Sequence, residues 1–192
     1  MHKLRVLFFW GAFFVLLCSG SLLAQEIKPN TRVSVSLIGH MVIQPGIQVG
    51  SEFFLDDPIL ENPDRQKTRY ISVEPKLGYF TRYNLTKNFL AQTEVGILTI
   101  KEKRRVNYKT SVSLGYLLES KTTSFSVNLG TGSKSNEETE TNHFFLPSIN
   151  QEIIGSLGGN NFWFNKYSLG KRFGTSTNSM TFFVELGIKF SI

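Results

Sequence analysis

From Thr181 to Ile192 every even position is apolar: Phe182, Val184, Leu186, Ile188, Phe190 and Ile192. The odd positions between them are Thr181, Phe183, Glu185, Gly187, Lys189 and Ser191. A period of two places these sets on opposite faces of a strand. One face suits hydrocarbon and the other carries charge, the pattern of a strand that closes a membrane barrel. The middle of the chain alternates in the same way. Ile71, Val73, Pro75, Leu77 and Tyr79 form one outward set, and Phe89, Ala91, Thr93, Val95 and Ile97 a second. Val106, Tyr108, Val112, Leu114, Tyr116 and Leu118 form a third, and each stands opposite polar or small residues. Aromatic residues gather toward strand ends, where an interfacial girdle needs them.

Two stretches fit less well. Over 149–157 and 162–173 either Gln151 or Lys166 sits on the wrong face whichever phase is chosen, and bulges are expected to restore it. From Arg32 to Leu55 the odd positions Val33, Val35, Leu37, Met41, Ile43, Ile47, Val49, Phe53 and Leu55 keep one phase. That stretch reads either as one long first strand bent near Pro45 or as an extra amino-terminal strand before the first barrel strand; the long, bent strand is favoured because a ninth strand would upset the even count.

A glycine recurs in every proposed strand, at Gly50, Gly78, Gly96, Gly115, Gly130, Gly155, Gly170 and Gly187, which gives eight strands. Most of these glycines fall on the inward face, where a narrow barrel has least room. Asn84 to Asn88, Glu119 to Thr122 and Gly158 to Asn161 read as short turns. Asp56 to Thr68, Lys101 to Arg105, Gly132 to Asn142 and Gly174 to Ser179 read as the alternate, longer connections. If the chain ends in the periplasm, an even strand count puts Asp56 to Thr68 and Gly132 to Asn142 at the cell surface.

The amino end predicts the route of export. A basic start, His2-Lys3-Leu4-Arg5, precedes an apolar run from Val6 to Leu17 and then small residues, the order of a secretory signal peptide. Cleavage is expected after Ala24, so residues 1–24 form the leader and 25–192 one barrel domain of about 168 residues. Cys18, the single cysteine, departs with the leader and leaves no disulfide or thiolate metal site. No later segment approaches a transmembrane helix in length, so insertion must be by strands.

The leader, the glycine-bearing strands, Leu146-Pro147-Ser148 opening a strand and the closing strand together resemble the small eight-stranded outer-membrane β-barrel proteins of Gram-negative bacteria. The resemblance implies an all-β, closed up-and-down antiparallel transmembrane barrel, monomeric and resident in the outer membrane. It also implies delivery by the barrel-insertion machinery through the C-terminal strand. Terminal strands of that family usually end in an aromatic residue, whereas this one ends in Ile192, with Phe190 two residues earlier.

The expected inward face carries Glu52, Glu74, Glu94, Glu152 and Glu185 with Lys76, Arg82, Lys109, Arg172 and Lys189. An eight-stranded barrel has an interior that side chains fill. These charges are therefore expected to pair and plug the lumen, since an unpaired buried charge costs several kcal/mol. The first reading is a structural, adhesive or surface-interaction role; a narrow pore gated by rearranged pairs is the alternative. A lipid A-modifying enzyme comes third, and its imidazole would be His143, with Ser148 and Glu152 nearby in sequence. No metal or cofactor motif is present, and Glu137-Glu138-Thr139-Glu140 lacks calcium-loop spacing. The net charge of +6 is read as attraction to an anionic membrane surface, with Lys101, Lys103, Arg104 and Arg105 against lipopolysaccharide. An exported chain has no nucleic-acid partner.

Overall fold

The computed structural model describes residues 31–40, 44–55, 58, 60–62, 67–82, 86–101, 106–129, 132–174 and 178–192, with backbone alone at 60–62, 82, 123–129 and 132–138. The proposed leader lies outside the described residues. Among the described residues nine strands run in chain order: β1 (Arg32–His40), β2 (Gln44–Phe54), β3 (Leu60–Asn62), β4 (Lys67–Arg82), β5 (Thr86–Lys101), β6 (Val106–Leu129), β7 (Gly132–Gly158), β8 (Asn161–Gly174) and β9 (Asn178–Ser191). The short β3 pairs only with the start of β4, at Lys67 to Arg69. The other eight form a closed antiparallel ring in chain order, with β2 against β4 and β9 against β1. Closure pairs every barrel strand on both sides, the condition for carrying strands through lipid.

Inside and outside follow parity, as expected. On β9, Phe182 and Phe190 face outward while Phe183, Glu185 and Lys189 are buried in the lumen. The outer wall exposes Val49, Leu77, Val95, Val112, Leu114, Ile149 and Leu169, a surface suited to hydrocarbon and not to water. The glycines fit the tight interior. A Cβ on Gly187 would run into the Val35 carbonyl oxygen and stand 2.7 Å from both Phe164 Cε1 and Ser36 Cβ.

The first strand is not one long bent segment. Arg32–His40 and Gln44–Phe54 are separate strands that fold back on each other, with Leu37 opposite Ile47 and His40 opposite Gln44. A hairpin in this register pairs odd residues with odd, so it keeps the phase of a continuous strand. Parity alone therefore could not separate the two. The punctuation at Gly39, Pro45 and Gly46 marked the reversal.

The strand count of eight is right, yet the membership shifts. Glu119–Thr122 is no turn and Leu129 belongs to no separate strand, because both lie inside β6. Gly132–Asn142 is no loop; it is the first part of β7, paired residue by residue with β6 from Leu129↔Gly132 to Glu119↔Asn142. Crossing a bilayer takes about 9–11 strand residues, and β6 and β7 have 24 and 27. The β5 ladder stops at Thr86↔Lys121 and the β8 ladder at Phe144↔Gly174. Beyond those points the described parts of β6 and β7 pair only with each other, as a ribbon standing above the barrel.

This rearrangement reverses one end assignment. The start of β1, the C-terminus, the β2–β4 connection, the β5–β6 connection and the tight β7–β8 turn at Gly159-Asn160 share one rim. The β6–β7 ribbon stands at the other. Asp56 to Thr68 and Gly132 to Asn142 are thus at opposite ends. Over 149–173 the β7–β8 ladder has one register shift, at Ser156/Gly158 beside the turn, and Gln151, which faces out, and Lys166, which faces in, need none to fit.

Candidate functional site

The lumen is built in three layers, each set by which inward residue a strand supplies at that height. Toward the ribbon end, Ile38, Phe80, Leu90, Leu117, Phe144, Leu146 and Phe183 pack into an apolar plug. Toward the end that holds the termini, Leu98, Ile154, Phe162 and Phe164 form a second plug, with Phe54 and Ile100 against it. The ionic residues lie between the two.

Eight of the ten predicted lumen charges meet in that middle layer: Glu52, Glu74, Lys76, Glu94, Lys109, Glu152, Glu185 and Lys189, all buried. Lys109 Nζ lies 2.5 Å from Glu52 and 2.7 Å from Glu74. Lys189 Nζ reaches Glu152 at 2.7 Å, Glu52 at 3.0 Å and Glu74 at 3.3 Å. Lys76 Nζ stands 3.2 Å from Glu74, 3.3 Å from Glu94 and 3.6 Å from Glu185. Each ammonium is shared among several carboxylates, so a charge taken out of water is compensated from more than one side.

Sequence reading missed two members. Lys166 bridges Glu94 and Glu185, and Arg32 lies 3.8 Å from Glu52 with its guanidinium over the rings of Phe54 and Phe162. Both have inward parity: Arg32 matches Ser34 and Ser36, and Lys166 matches Phe164 and Ser168. With them the layer holds five carboxylates, Glu52, Glu74, Glu94, Glu152 and Glu185, and five cations, Arg32, Lys76, Lys109, Lys166 and Lys189. It is formally neutral.

Arg172 does not join the layer. It sits in the ribbon-end plug, donating from Nη2 to His40 Nε2 at 2.8 Å and pairing with Glu119 at 3.6 Å. Because the guanidinium only donates, Nε2 accepts, and Nδ1 carries the proton toward Gln44 Oε1 at 2.8 Å. Thr181 Oγ1 also meets Nε2 at 2.5 Å, and Phe80 and Phe183 flank the ring. The Arg82 side chain lies outside those described.

The triad suggested by sequence does not form. His143 is on the outer wall, with Nδ1 2.5 Å from Tyr116 Oη, whereas Ser148 and Glu152 are buried in the lumen. Even and odd residues of β7 face opposite sides of the wall. Of the four residues expected at lipopolysaccharide, Lys101 sits at the rim that holds the start of β1 and the C-terminus, and Lys103, Arg104 and Arg105 lie outside the described residues. Termini in the periplasm and Lys101 against lipopolysaccharide are therefore incompatible.

No family model and no curated protein matches this sequence. Among solved structures, the outer membrane enzyme PagL is similar with a TM-score of 0.54 and 12% identity, over 84% of this chain and 99% of that one. The N-terminal β-barrel domain of Pseudomonas aeruginosa OprF gives 0.47 and 14%, over 87% and 100%. Neisserial surface protein A gives 0.46 and 10%, over 84% and 96%. At these identities the likeness is one of fold, that of the small eight-stranded outer-membrane barrels.

Proposed function

Taking as premise that this chain has the fold of a small outer-membrane β-barrel, we propose that it is a closed, non-conducting scaffold whose work is done at the cell surface by the β6–β7 ribbon. The observation that carries this reading is the lumen: a neutral ionic layer between two apolar plugs. A hydrated ion would have to break shared pairs and pass both plugs. The polar ribbon extends the ladder beyond the barrel, at the rim away from the chain ends. Adhesion or another surface interaction uses such an extension; a purely structural wall does not need it.

With the termini periplasmic, contact with lipopolysaccharide passes to the ribbon-side rim. Exposed Lys87 and Lys171 lie on the outer face there, and Lys171 Nζ stands 5.0 Å from the centre of the Phe173 ring. A role without chemistry is favoured because the one hydroxyl–imidazole pair in the lumen among the described residues, Thr181 with His40, is only 2% and 4% exposed. The test is a planar-bilayer recording of the folded protein, paired with binding of the same protein in vesicles to host-cell matrix proteins. Silent bilayers with binding that disappears when 123–138 are deleted support the proposal. Stable unitary openings overturn it.

A further inference from the structure

The outer wall carries polar side chains at a depth where lipid offers them nothing. Gln151 and Thr110 face outward on β7 and β6, opposite each other in the ladder. Thr110 Oγ1 donates to Gln151 Oε1 at 3.1 Å, and Gln151 Nε2 donates to Thr110 Oγ1 at 2.6 Å. The next cross-strand neighbour of Gln151 is Tyr167 on β8, whose hydroxyl accepts from Asn165 Nδ2 at 2.9 Å. Asn165 Oδ1 is buried without a hydrogen-bond partner.

The depth of this patch follows from the lumen. Thr110, Gln151 and Asn165 each adjoin in sequence a member of the ionic layer, Lys109, Glu152 and Lys166, which lies between the two plugs. Gln151 sits mid-wall, seven residues from Phe144 and seven from Gly158 on β7, while Thr110 and Asn165 stand four residues from the starts of their strands at Val106 and Asn161. A primary amide has two donors and two acceptor lone pairs, and the bonds to Thr110 use only part of that capacity. A polar group unsatisfied in hydrocarbon is costly, and a sequence free to choose would place leucine or valine there.

We propose that the barrel associates with a second copy of itself through this patch, with Gln151 at the centre. The patch has no formal charge, so it calls for no ionic partner, and at mid-wall neither water nor a headgroup reaches it. Amides and hydroxyls are donors and acceptors at once, so the surface is complementary to itself. A two-fold axis through it sets each Gln151 against its counterpart. Ile149, 65% exposed, and Leu169, 53% exposed, supply apolar contact beside it.

The test uses the folded protein in vesicles with Cys18 replaced by serine and Ile149→Cys as the only thiol. Oxidation is expected to yield a disulfide-linked dimer. In parallel, sedimentation equilibrium in density-matched micelles is expected to show a dimer without the thiol. The double variant Gln151→Leu/Thr110→Val should weaken it about tenfold, equivalent to about 1.4 kcal/mol. Thr93→Val, an outward hydroxyl deletion on β5, should leave it unchanged. A monomer at every protein-to-lipid ratio, a dimer indifferent to the double variant, or association only with a different protein each overturns the proposal. If the double variant does not fold, absence of the Ile149→Cys cross-link alone overturns it.

Discussion

Lys166 shows how much one side chain holds. Its ammonium serves Glu94 and Glu185 together, and all three are buried. Replacing it by methionine keeps most of the volume and leaves two carboxylates short of their shared cation. Removing one partner of a buried pair costs about 3–5 kcal/mol. Lys166→Met is expected to lower the unfolding free energy in urea by about that amount, and Lys166→Met/Glu185→Met should recover a good part of the loss. A loss of well under about 1 kcal/mol, the range of exposed pairs, would mean that water reaches the layer. Gly187 tests the opposite constraint, of space and not of charge. A methyl there meets the Val35 backbone, which cannot swing aside. Gly187→Ala is therefore expected to destabilise by about 1–3 kcal/mol through overpacking, measurable in the same unfolding assay. At this scale the sequence was largely readable, since parity alone sorts Glu52, Glu74, Lys109 and Lys189 into the lumen. Parity cannot give height. Arg172 has the right parity and joins a different layer, against His40 and Glu119.

At the level of elements, the β6–β7 ribbon separates two properties that usually travel together. Alternation of apolar and polar residues reports burial in lipid on one face; the hydrogen-bonded ladder reports only pairing. Above the bilayer both faces of a ribbon meet water and alternation fades, while the ladder runs on to Leu129↔Gly132. That is why Glu119–Thr122 and Gly132–Asn142 read as a turn and a loop in the sequence. The first hairpin was hidden for a different reason, because a reversal pairing His40 with Gln44 preserves parity. The closing strand was legible throughout, since β9 keeps a clean period of two against β1 and β8. The ribbon's independence from the barrel is testable. Between Thr123 and Glu138 the described backbone pairs only across β6 and β7, so the ladder of the barrel gains nothing from it. Deleting 123–138 and joining the strands with a two-residue Asn-Gly turn should leave heat-modifiable electrophoretic mobility and unfolding midpoint within error of the parent. A large drop in either would show that the ribbon is part of the barrel's own stability.

For the molecule as a whole, the order of layers along the lumen decides whether anything passes. Two apolar plugs bracket a neutral ionic layer, so no single barrier carries the closure. Phe80 and Phe183, packed edge to face with centroids 5.8 Å apart, are two of the three phenylalanines of the ribbon-end plug, with Phe144 the third. Truncating both to alanine opens that plug and exposes the ionic layer to water from one side. The layer itself stays shut, because Lys76, Lys109, Lys166 and Lys189 each remain in contact with more than one carboxylate. Equal numbers of opposite charges also give no net field to draw a counter-ion in. The expected recording for Phe80→Ala/Phe183→Ala is therefore silence, with a stability cost of several kcal/mol from the cavity. Adding Lys76→Ala removes the cation that joins Glu74, Glu94 and Glu185 and leaves the site with net negative charge. Brief cation-selective openings are expected only in that triple variant. Openings already present in the double variant would place the barrier in the plug alone and turn the closed scaffold into a gated pore.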